Sequence, residues 1–219
     1  MYPMFIGVWK QLAAGKTPLR ALMNQALSAH TLSTGVVVDL GGGKNPSYLN
    51  FLKGVKEATL QTIDMQHGVG EARLIDFEKD MLPYVDNSVD QVLMLNVLEH
   101  IYNHEFFVQE TRRILKDGST VIGFVPFLIN YHADPHDYFR YTHEALKRIF
   151  ADTGFTESRI ETIGGGPMLL NFNTIASFAP RLVTTILWPF YYALDCSLLR
   201  IKPGFKKRFP LGYLFVLTK

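Results

Sequence analysis

The stretch VVVDLGGGKNP, residues 36–46, places an acid and three consecutive glycines at the end of an apolar run. Glycine has no Cβ, so a ligand can approach its backbone closely. Asp39 precedes the glycines, where its charge would repel a pyrophosphate but suit a cationic ligand. Gly41 and Gly43 fit a dinucleotide-binding G-x-G-x-x-G, but Pro46 occupies the third position and has no N–H. The pattern therefore disfavours NAD, and a tight turn without a ligand is the alternative.

Two further acids follow apparent strands. Asp64 stands about twenty residues after the glycines, where a carboxylate can accept hydrogen bonds from both hydroxyls of a ribose. Asp76 adjoins Phe77 in LIDFEK, where the acid could accept from an adenine amino group while the ring packs on the base. Each acid alone is more often a solvated strand-end residue. Three of them at successive strand ends are hard to assign to chance.

Residues 130–142, NYHADPHDYFRYT, concentrate further reactive side chains just past another apparent strand. The candidates for contact with a substrate are His132, His136, Asp137, Arg140 and Tyr141. A neutral His132 or His136 can deprotonate a hydroxyl near pH 7. The alternative is a hydrogen-bonded lid in which Arg140 pairs with a carboxylate. A metal site formed by His132, Asp134 and His136 is a further alternative, but nothing in the spacing enforces ligand geometry, so no metal is predicted.

Alternating strands and helices would bring these residues to one edge of a sheet. Short apolar runs predict strands over residues 36–40, 59–63, 73–75, 89–95 and 119–125. Helices are predicted from Thr17-Pro18, from Asn45-Pro46, over residues 103–116 and from Thr142 to Gly154. This alternation predicts an α/β fold with a doubly wound, mostly parallel sheet. Ligands of such sheets bind beyond the carboxyl ends of the strands.

VVVDLGGGKNP, Asp64 and LIDFEKDMLPYVDNSVDQVLMLNVLEHI together resemble class I S-adenosylmethionine-dependent methyltransferases of the type 11 group. The resemblance covers about residues 34–163. It implies a Rossmann-like fold, S-adenosyl-L-methionine as the cofactor, and an enzyme that transfers a methyl group. The family often has a glycine where Asn45 stands. The implied cofactor-binding residues are Asp39, Gly41, Gly42, Gly43, Asp64, Met65, Asp76, Phe77, Asn96 and Val97.

The same resemblance implies a role for each part of the site. Asp39 would lie near the methionine amino group, and the glycines would cradle the methionine part of the cofactor. Asp64 would hold the ribose, and Asp76 with Phe77 the adenine. Asn96 and Val97 would end the fourth strand below the sulfonium. His100 follows Glu99 after that strand and is a further candidate for substrate contact, although the family usually shows this pair as scaffold.

The methyl acceptor is less well defined. A string similar to HDYFRYT recurs in methyltransferases encoded near glycan and O-antigen assembly genes, which implies a small or lipid-linked acceptor with a sugar hydroxyl. The alternatives are a quinone-like or other lipid ring, or a non-catalytic cofactor-binding module. A nicotinamide oxidoreductase is the rival with the same fold.

The last third of the sequence predicts a helical, apolar insert between the two strands of an antiparallel pair. ESRIETIGG and LGYLFVLTK form the arms, the second being a C-terminal antiparallel strand. Between Arg181 and Asp195 only 13 residues are free of charge, fewer than the about twenty that a membrane span needs. Pro180 and Pro189 are expected to break or kink this segment. Residues 174–208, which end in a basic run, predict peripheral contact with an anionic membrane. A cap over the acceptor pocket or a homodimer interface is the alternative.

Composition sets the remaining limits. The chain has 219 residues, 47% of them hydrophobic and 19% charged, which excludes a disordered protein. We expect one methyltransferase domain over 1–219: an N-terminal helical cap (1–33), a cofactor-binding core (34–163), the insert (166–209) and a last strand (211–218). The net charge of +2 and the absence of an N-P-P-Y-type tetrapeptide disfavour nucleic acid. One cysteine and no signal-peptide pattern predict a cytoplasmic protein, with a location at the inner face of the membrane as the alternative.

Overall fold

The computed structural model describes residues 2–44, 46–65 and 75–219. Its strands form one six-stranded mixed sheet in the order β2-β1-β3-β4-β6-β5. They are β1 (Val36–Leu40), β2 (Thr59–Ile63), β3 (Val89–Leu95), β4 (Leu115–Pro126), β5 (Glu157–Gly164) and β6 (Pro210–Thr218). The first four are parallel, and β6 runs antiparallel to both β4 and β5. The predicted α/β class and the predicted terminal strand pair are confirmed.

Helices cover the two faces of this sheet. They are α1 (Tyr2–Ala13), α2 (Pro18–Leu27), α3 (His104–Ile114), α4 (His143–Asp152), α5 (Pro167–Ala176), α6 (Arg181–Ile201) and α7 (Phe205–Arg208). Two 3-10 helices, Ser47–Phe51 and Leu98–His100, follow β1 and β3. Apolar side chains of α3 and α4 pack on one face, and those of α1, α2, α5 and α6 pack on the other. The sheet is therefore doubly wound, with an N-terminal helix and a helical insert before the last strand, as predicted.

Local sequence signals explain most element bounds. Strands β1, β2 and β3 have the predicted bounds, and Thr17 and Thr142 cap α2 and α4 with their side-chain oxygens. The predicted helix over 103–116 is too long, because β4 already begins at Leu115, which pairs with β3. Pro46 leads only into the 3-10 helix, and Asn45 lies outside the described residues. Of the predicted strand 73–75, residues 73 and 74 also lie outside them, and Ile75 is irregular.

Of the predicted break or kink at Pro189, the break is wrong, since the 21-residue helix α6 continues through this proline. A proline at this position has no N–H to donate to the carbonyl of Thr185, four residues earlier. The indole Nε1 of Trp9, on α1, donates to that carbonyl instead, at 3.0 Å. Pro180, by contrast, stands immediately before α6, where the predicted interruption occurs. The hydrogen bond from Trp9 thus satisfies the Thr185 carbonyl and makes a proline in the interior of α6 tolerable.

Asp195 explains why α6 carries a charge in its apolar sequence. The residue is 1% exposed, and its two carboxylate oxygens accept hydrogen bonds from the backbone N–H groups of Met168 and Leu169, at 3.0 and 2.9 Å. These groups open α5 and have no acceptor inside that helix. Asp195 therefore caps α5 from a neighbouring helix and fixes α6 against the domain.

Candidate active site

The glycine loop after β1 is shaped by the protein's own side chains. Gly41 has φ +75°, and a Cβ there would lie 2.6 Å from Val97 Cγ2. A Cβ on Gly42 would collide with the Asp39 carboxylate beneath it. Gly43 has φ +65°, and its N–H donates to Asp64 Oδ2 at 3.1 Å. Close packing among predicted cofactor residues thus requires glycine at positions 41 and 42, and the left-handed backbone favours glycine at position 43.

Asp39 lies directly below this loop and is fully buried. The Tyr48 hydroxyl lies 2.7 and 2.6 Å from its two oxygens and donates to the carboxylate. Burial raises the pKa of Asp39 to about 7, although the Tyr48 hydrogen bond opposes the shift. Asp39 is therefore a carboxyl group poised to ionise near neutral pH. Tyr48, from the 3-10 helix after β1, was not predicted from the sequence.

A crevice opens at the carboxyl ends of β1, β2 and β3. Six of the ten predicted cofactor residues line this space of about 60 Å³: Gly41, Asp64, Met65, Phe77, Asn96 and Val97. His100 and Asp134 complete its wall. The crevice offers a carboxylate of Asp64, which can accept from ribose hydroxyls, and the bare Cα of Gly41, whose own N–H donates to the Ile63 carbonyl at 2.7 Å and which lets a methionine chain pack closely. The residues present therefore fit S-adenosylmethionine.

Asp76 and Phe77 occupy different settings. Asp76 lines an adjoining cavity of about 620 Å³ and forms an ion pair with Lys79 at 2.9 Å. The Lys79 hydrogen bond lowers the pKa of Asp76. Phe77 is 1% exposed and stacks on Phe107 at 4.9 Å, so most of its ring belongs to the core. Met65 and His100 line both spaces, which are therefore adjacent.

Beyond the crevice, the structure brings together Glu99, His100 and His132. The Nε2 atoms of His100 and His132 lie 3.6 and 3.7 Å from Glu99 Oε1. Glu99 is 0% exposed and His100 is 7% exposed, whereas the side chain of His132 is 36% exposed. The Glu99 carboxylate raises the pKa of His132. The sequence singled out the two histidines separately, and only the fold makes them neighbours.

The other predicted catalytic residues hold the loop in place. Arg140 forms two hydrogen bonds to the Asp137 carboxylate, at 2.5 and 2.6 Å, and Asp137 also accepts from the backbone N–H of His132. The Arg140 hydrogen bond lowers the pKa of Asp137 to about 2. Tyr141 is buried and donates to the carbonyl of Leu98. These contacts match the lid alternative for Asp137, Arg140 and Tyr141.

His136 lies apart from the Glu99 group. Its ring packs against Tyr138, with centroids 5.2 Å apart, and it lines the cavity that contains Asp76. Its backbone carbonyl oxygen lies 2.5 Å from His100 Nδ1. The main chain of His136, rather than its imidazole, therefore contributes to the group around Glu99.

A second, polar cavity of about 370 Å³ adjoins the cofactor crevice. The two share Gly41, Asn96, His100 and Asp134, and His132 lines only the second cavity. Arg20, from the first turn of α2, also lines it, and among the described residues no carboxylate lies within ion-pair distance of its guanidinium. Arg20 was not predicted, because it lies outside the motifs and only the packing of α2 on the sheet brings it here.

Comparison with known proteins supports the assignment of the crevice to S-adenosylmethionine. The type 11 family model, described as a methyltransferase domain, matches residues 45–123, about a third of the chain. A SAM-dependent methyltransferase from Archaeoglobus fulgidus is 17% identical, with a TM-score of 0.56 over 96% of this chain and 94% of that one. A phosphoethanolamine N-methyltransferase of Haemonchus contortus, solved with S-adenosyl-L-methionine, is 16% identical, with a TM-score of 0.56 over 90% and 52%. The [4+2]-cyclase SpnF is 15% identical, with a TM-score of 0.60 over 92% and 80%. No curated protein sequence matches significantly.

The family match gives the chain a type 11 methyltransferase domain over residues 45–123, and with it an S-adenosylmethionine-dependent methyltransferase activity and S-adenosyl-L-methionine as the cofactor. The fold of the chain is one that S-adenosylmethionine-dependent methyltransferases also have. Structural likeness at these identities defines the fold and not the acceptor, and SpnF is a cyclase with this fold. The acceptor has to be argued from the site.

Proposed function

We propose that this methyltransferase modifies a hydroxyl of a sugar on a small or lipid-linked acceptor in glycan assembly, at the cytoplasmic face of a membrane. The observation that carries the proposal is the polar cavity beside the cofactor crevice, which contains Arg20 and His132. When bound, the cofactor supplies an electrophilic methyl group. Transfer to a hydroxyl forms a C–O bond, breaks the C–S bond and leaves S-adenosylhomocysteine, and the hydroxyl proton passes to solvent.

Within this proposal the crevice residues keep the roles that the resemblance implies. Asp39 faces the cationic methionine end, Asp64 the ribose, and Asp76 with Phe77 the adenine. The closeness of Gly43 and Asp64, 3.1 Å from backbone nitrogen to carboxylate, supports a continuous binding surface from the glycine loop to β2. The rest of the chain then has to align the acceptor and keep competing water out.

Arg20 supports an acceptor that carries negative charge. Burial lowers the pKa of its guanidinium, which means that the protein leaves this cation incompletely solvated. An anionic ligand would compensate for that loss, and arginine binds phosphate through two parallel hydrogen bonds. A sugar joined to a phosphate or diphosphate offers both the anion and the hydroxyl. A neutral quinone-like ring would leave Arg20 without a partner.

The surface of α6 supports a lipid-linked acceptor. Leu182, Ile186, Phe190 and Leu194 are spaced four residues apart along one face and are 70, 56, 64 and 54% exposed. Among the described residues α6 is the one helix long and apolar enough to cross a membrane, with a mean hydropathy of 1.3. Because the opposite side of α6 is fixed to the domain by Asp195 and Trp188, we propose that the helix lies in the membrane surface.

Positive charge continues this apolar face. After Asp195 the chain contains no acid, and its exposed cations are Arg200, Lys202, Lys206, Lys207 and Arg208. Each such cation near an anionic leaflet contributes about 1 kcal/mol to binding. A cavity of about 670 Å³, lined largely by apolar residues of α2, α5 and α6, reaches Lys206 and offers room for part of an acyl chain.

Methyl transfer tests the reaction directly. Purified protein, labelled S-adenosylmethionine and anionic vesicles would be incubated with polyprenyl-diphosphate sugars, free nucleotide sugars and a quinone-type ring. We expect a methyl ether on a sugar, identified by mass spectrometry. Arg20→Gln should raise KM for the sugar substrate and leave cofactor affinity unchanged, because Arg20 does not line the cofactor crevice. Transfer to the quinone alone would refute the proposed acceptor, and no transfer to any acceptor would favour the binding-module alternative.

Vesicle sedimentation tests the membrane contact. Lys206→Glu with Lys207→Glu should weaken binding to anionic vesicles by about 30-fold or more, since two favourable charges are lost. The matched control reverses Lys147 and Arg148, two exposed cations on α4, and should not change binding. If the wild type ignores vesicles, or elutes as a dimer that buries the apolar face of α6, the membrane contact is wrong.

A further inference from the structure

We infer that Glu99, His100 and His132 form a binding site for one divalent transition-metal ion at the wall of the acceptor cavity. Nothing in the family match or in the structural neighbours' descriptions assigns an ion to this chain. Ion binding stands on the geometry of these three side chains. The role of the ion, to bind and acidify the acceptor hydroxyl, rests on the proposed function.

The first observation is that Glu99 has a buried carboxylate without a hydrogen bond. The residue is 0% exposed, and neither Oε1 nor Oε2 has a hydrogen-bond partner among the described residues. Its backbone carbonyl accepts from the N–H groups of Tyr138 and Phe139, at 2.9 and 3.2 Å, so the main chain is firmly held. A buried carboxylate left alone is destabilising by several kcal/mol. A cation between Glu99 and its neighbours would remove that penalty.

The second observation is the orientation of the two imidazoles. His100 Nδ1 lies 2.5 Å from the carbonyl oxygen of His136, so it must carry the proton, and Nε2 keeps its lone pair toward Glu99. His132 also turns Nε2 toward Glu99, while its Nδ1 lies 3.5 Å from Asp137 Oδ2 and 3.3 Å from Arg140 Nη2. Histidine ligands of metals usually point one nitrogen at the ion and the other at a carbonyl or carboxylate. His100 has that arrangement, and His132 would adopt it when an ion binds Nε2 and the ring proton moves to Nδ1, which faces the Asp137 carboxylate.

The distances between the three groups also fit a metal centre. Ligand atoms at about 2.0–2.1 Å from a tetrahedral ion are separated by about 3.3–3.4 Å. The two Nε2 atoms lie 3.6 and 3.7 Å from Glu99 Oε1, and all three ligand atoms lie within 4.8 Å of one another. The two separations from Glu99 Oε1 are too long for direct hydrogen bonds but only a few tenths of an ångström longer than shared coordination requires.

The position of the group leaves room for a substrate oxygen. His100 and His132 line the 370 Å³ cavity, together with Asn96, whose Oδ1 is also buried without a hydrogen bond. Two imidazoles and one carboxylate are a ligand set of Zn²⁺ and of other divalent transition metals with open coordination positions. An oxygen that binds such an ion loses its proton near neutral pH. A sugar hydroxyl in the cavity would then become nucleophilic beside the cofactor crevice.

Metal titration of the full chain tests the site without the acceptor. Protein freed of metal with a chelator would be titrated calorimetrically with Zn²⁺ and Mn²⁺. We expect one ion per chain for the wild type and for His136→Gln, whose imidazole lies outside the group. Glu99→Gln and His132→Gln should lose on the order of 100-fold in affinity or more, since removal of supporting residues alone costs 10–100-fold. Undiminished binding of S-adenosylmethionine would show that the variants are folded.

Thermal denaturation provides a second measurement. In chelator, Glu99→Gln should melt at or above the wild-type temperature, because it removes a buried carboxylate that has no hydrogen bond, and added Zn²⁺ should stabilise only the wild type. The alternative is that a protonated His132 neutralises Glu99. In that case Glu99→Gln would be less stable than the wild type in chelator, and no ion would bind.

The outcomes separate this site from the proposed function. A wild type that binds no ion, or a Glu99→Gln variant that binds it equally well, would overturn the metal site even if sugars are methylated. A site that binds one ion through Glu99 in a protein that methylates no sugar would uphold the metal site and refute the proposed acceptor.

Discussion

Asp39 makes cofactor binding depend on pH in a direction that can be worked out from the structure. Its pKa in the free protein is about 7, because the residue is fully buried and the Tyr48 hydroxyl only partly offsets the burial. If Asp39 faces the ammonium group of the methionine chain, the bound state requires the carboxylate. Below pH 7 the free protein must release a proton before binding, and the affinity for S-adenosylmethionine falls as the pH falls.

The magnitude follows from proton linkage. One pH unit below the pKa costs about 1.36 kcal/mol, so affinity should fall about tenfold per unit between pH 7 and pH 5. Above about pH 8 an α-amino group loses its charge, and affinity should fall again. Stability responds in the opposite sense. A carboxyl pKa raised by folding makes the native state less stable as pH rises from about 4 to 7, by about 4 kcal/mol over these roughly three units.

Isothermal titration in buffers of different ionisation enthalpy measures both affinity and proton release. At pH 6 we expect nearly one proton released per cofactor bound. 5′-Methylthioadenosine lacks the amino group and should show no such dependence. Asp39→Asn should bind the cofactor weakly at all pH values but resist unfolding better than the wild type at pH 8. A wild-type affinity that is flat between pH 5 and 7 would refute the assignment of Asp39 to the methionine end.

Three further predictions concern contacts that hold the domain together. Trp9→Phe should lower the free energy of unfolding by about 1 kcal/mol, because the Thr185 carbonyl loses its donor. This loss should disappear in a Pro189→Ala background, where the backbone N–H of residue 189 supplies the donor, and equal losses in both backgrounds would contradict that account. Arg140→Lys should lower the free energy of unfolding, measured with urea at pH 7, by about 1–3 kcal/mol, because one of two hydrogen bonds to Asp137 is lost. The difference from the wild type should shrink as the pH falls toward 2 and Asp137 is protonated, and a difference that does not change with pH would contradict this account. Asp195→Ala should destabilise the protein by about 1–3 kcal/mol, measured by thermal unfolding, because two N–H groups of α5 lose their acceptor. An unchanged melting temperature would show that water replaces the carboxylate as the acceptor.

The parts of the fold that the sequence predicts are those set by local patterns. The runs that form β1, β2 and β3 are short, apolar and bounded by turn residues, so their limits could be predicted directly. Pro189 could not be interpreted correctly, because its missing donor is replaced by Trp9 from far along the chain. Local rules contain no information about such a contact.

The candidate site likewise contains some residues that local motifs predict and others that only the fold brings together. Asp64 and Gly43 belong to a recognisable series of strand ends, and the fold places them in contact. Arg20 and Tyr48 carry no pattern, since one comes from a helix that precedes β1 and the other from a short 3-10 turn. His132 approaches Glu99 only because the backbone after it bonds to the Glu99 carbonyl. Long-range packing therefore determines the acceptor side of the site, and local motifs determine the cofactor side.

The bond between Trp9 and the carbonyl of Thr185 also has a consequence for biosynthesis. Translation produces α1 well before α6, since β1 to β5 lie between them in the chain. The side of α1 that packs on α2 can be covered at once, but the side that packs on α6 stays exposed until α6 has been made. We therefore expect trigger-factor-type chaperones to bind ribosome-held chains that stop before α6 and to release those that extend beyond it.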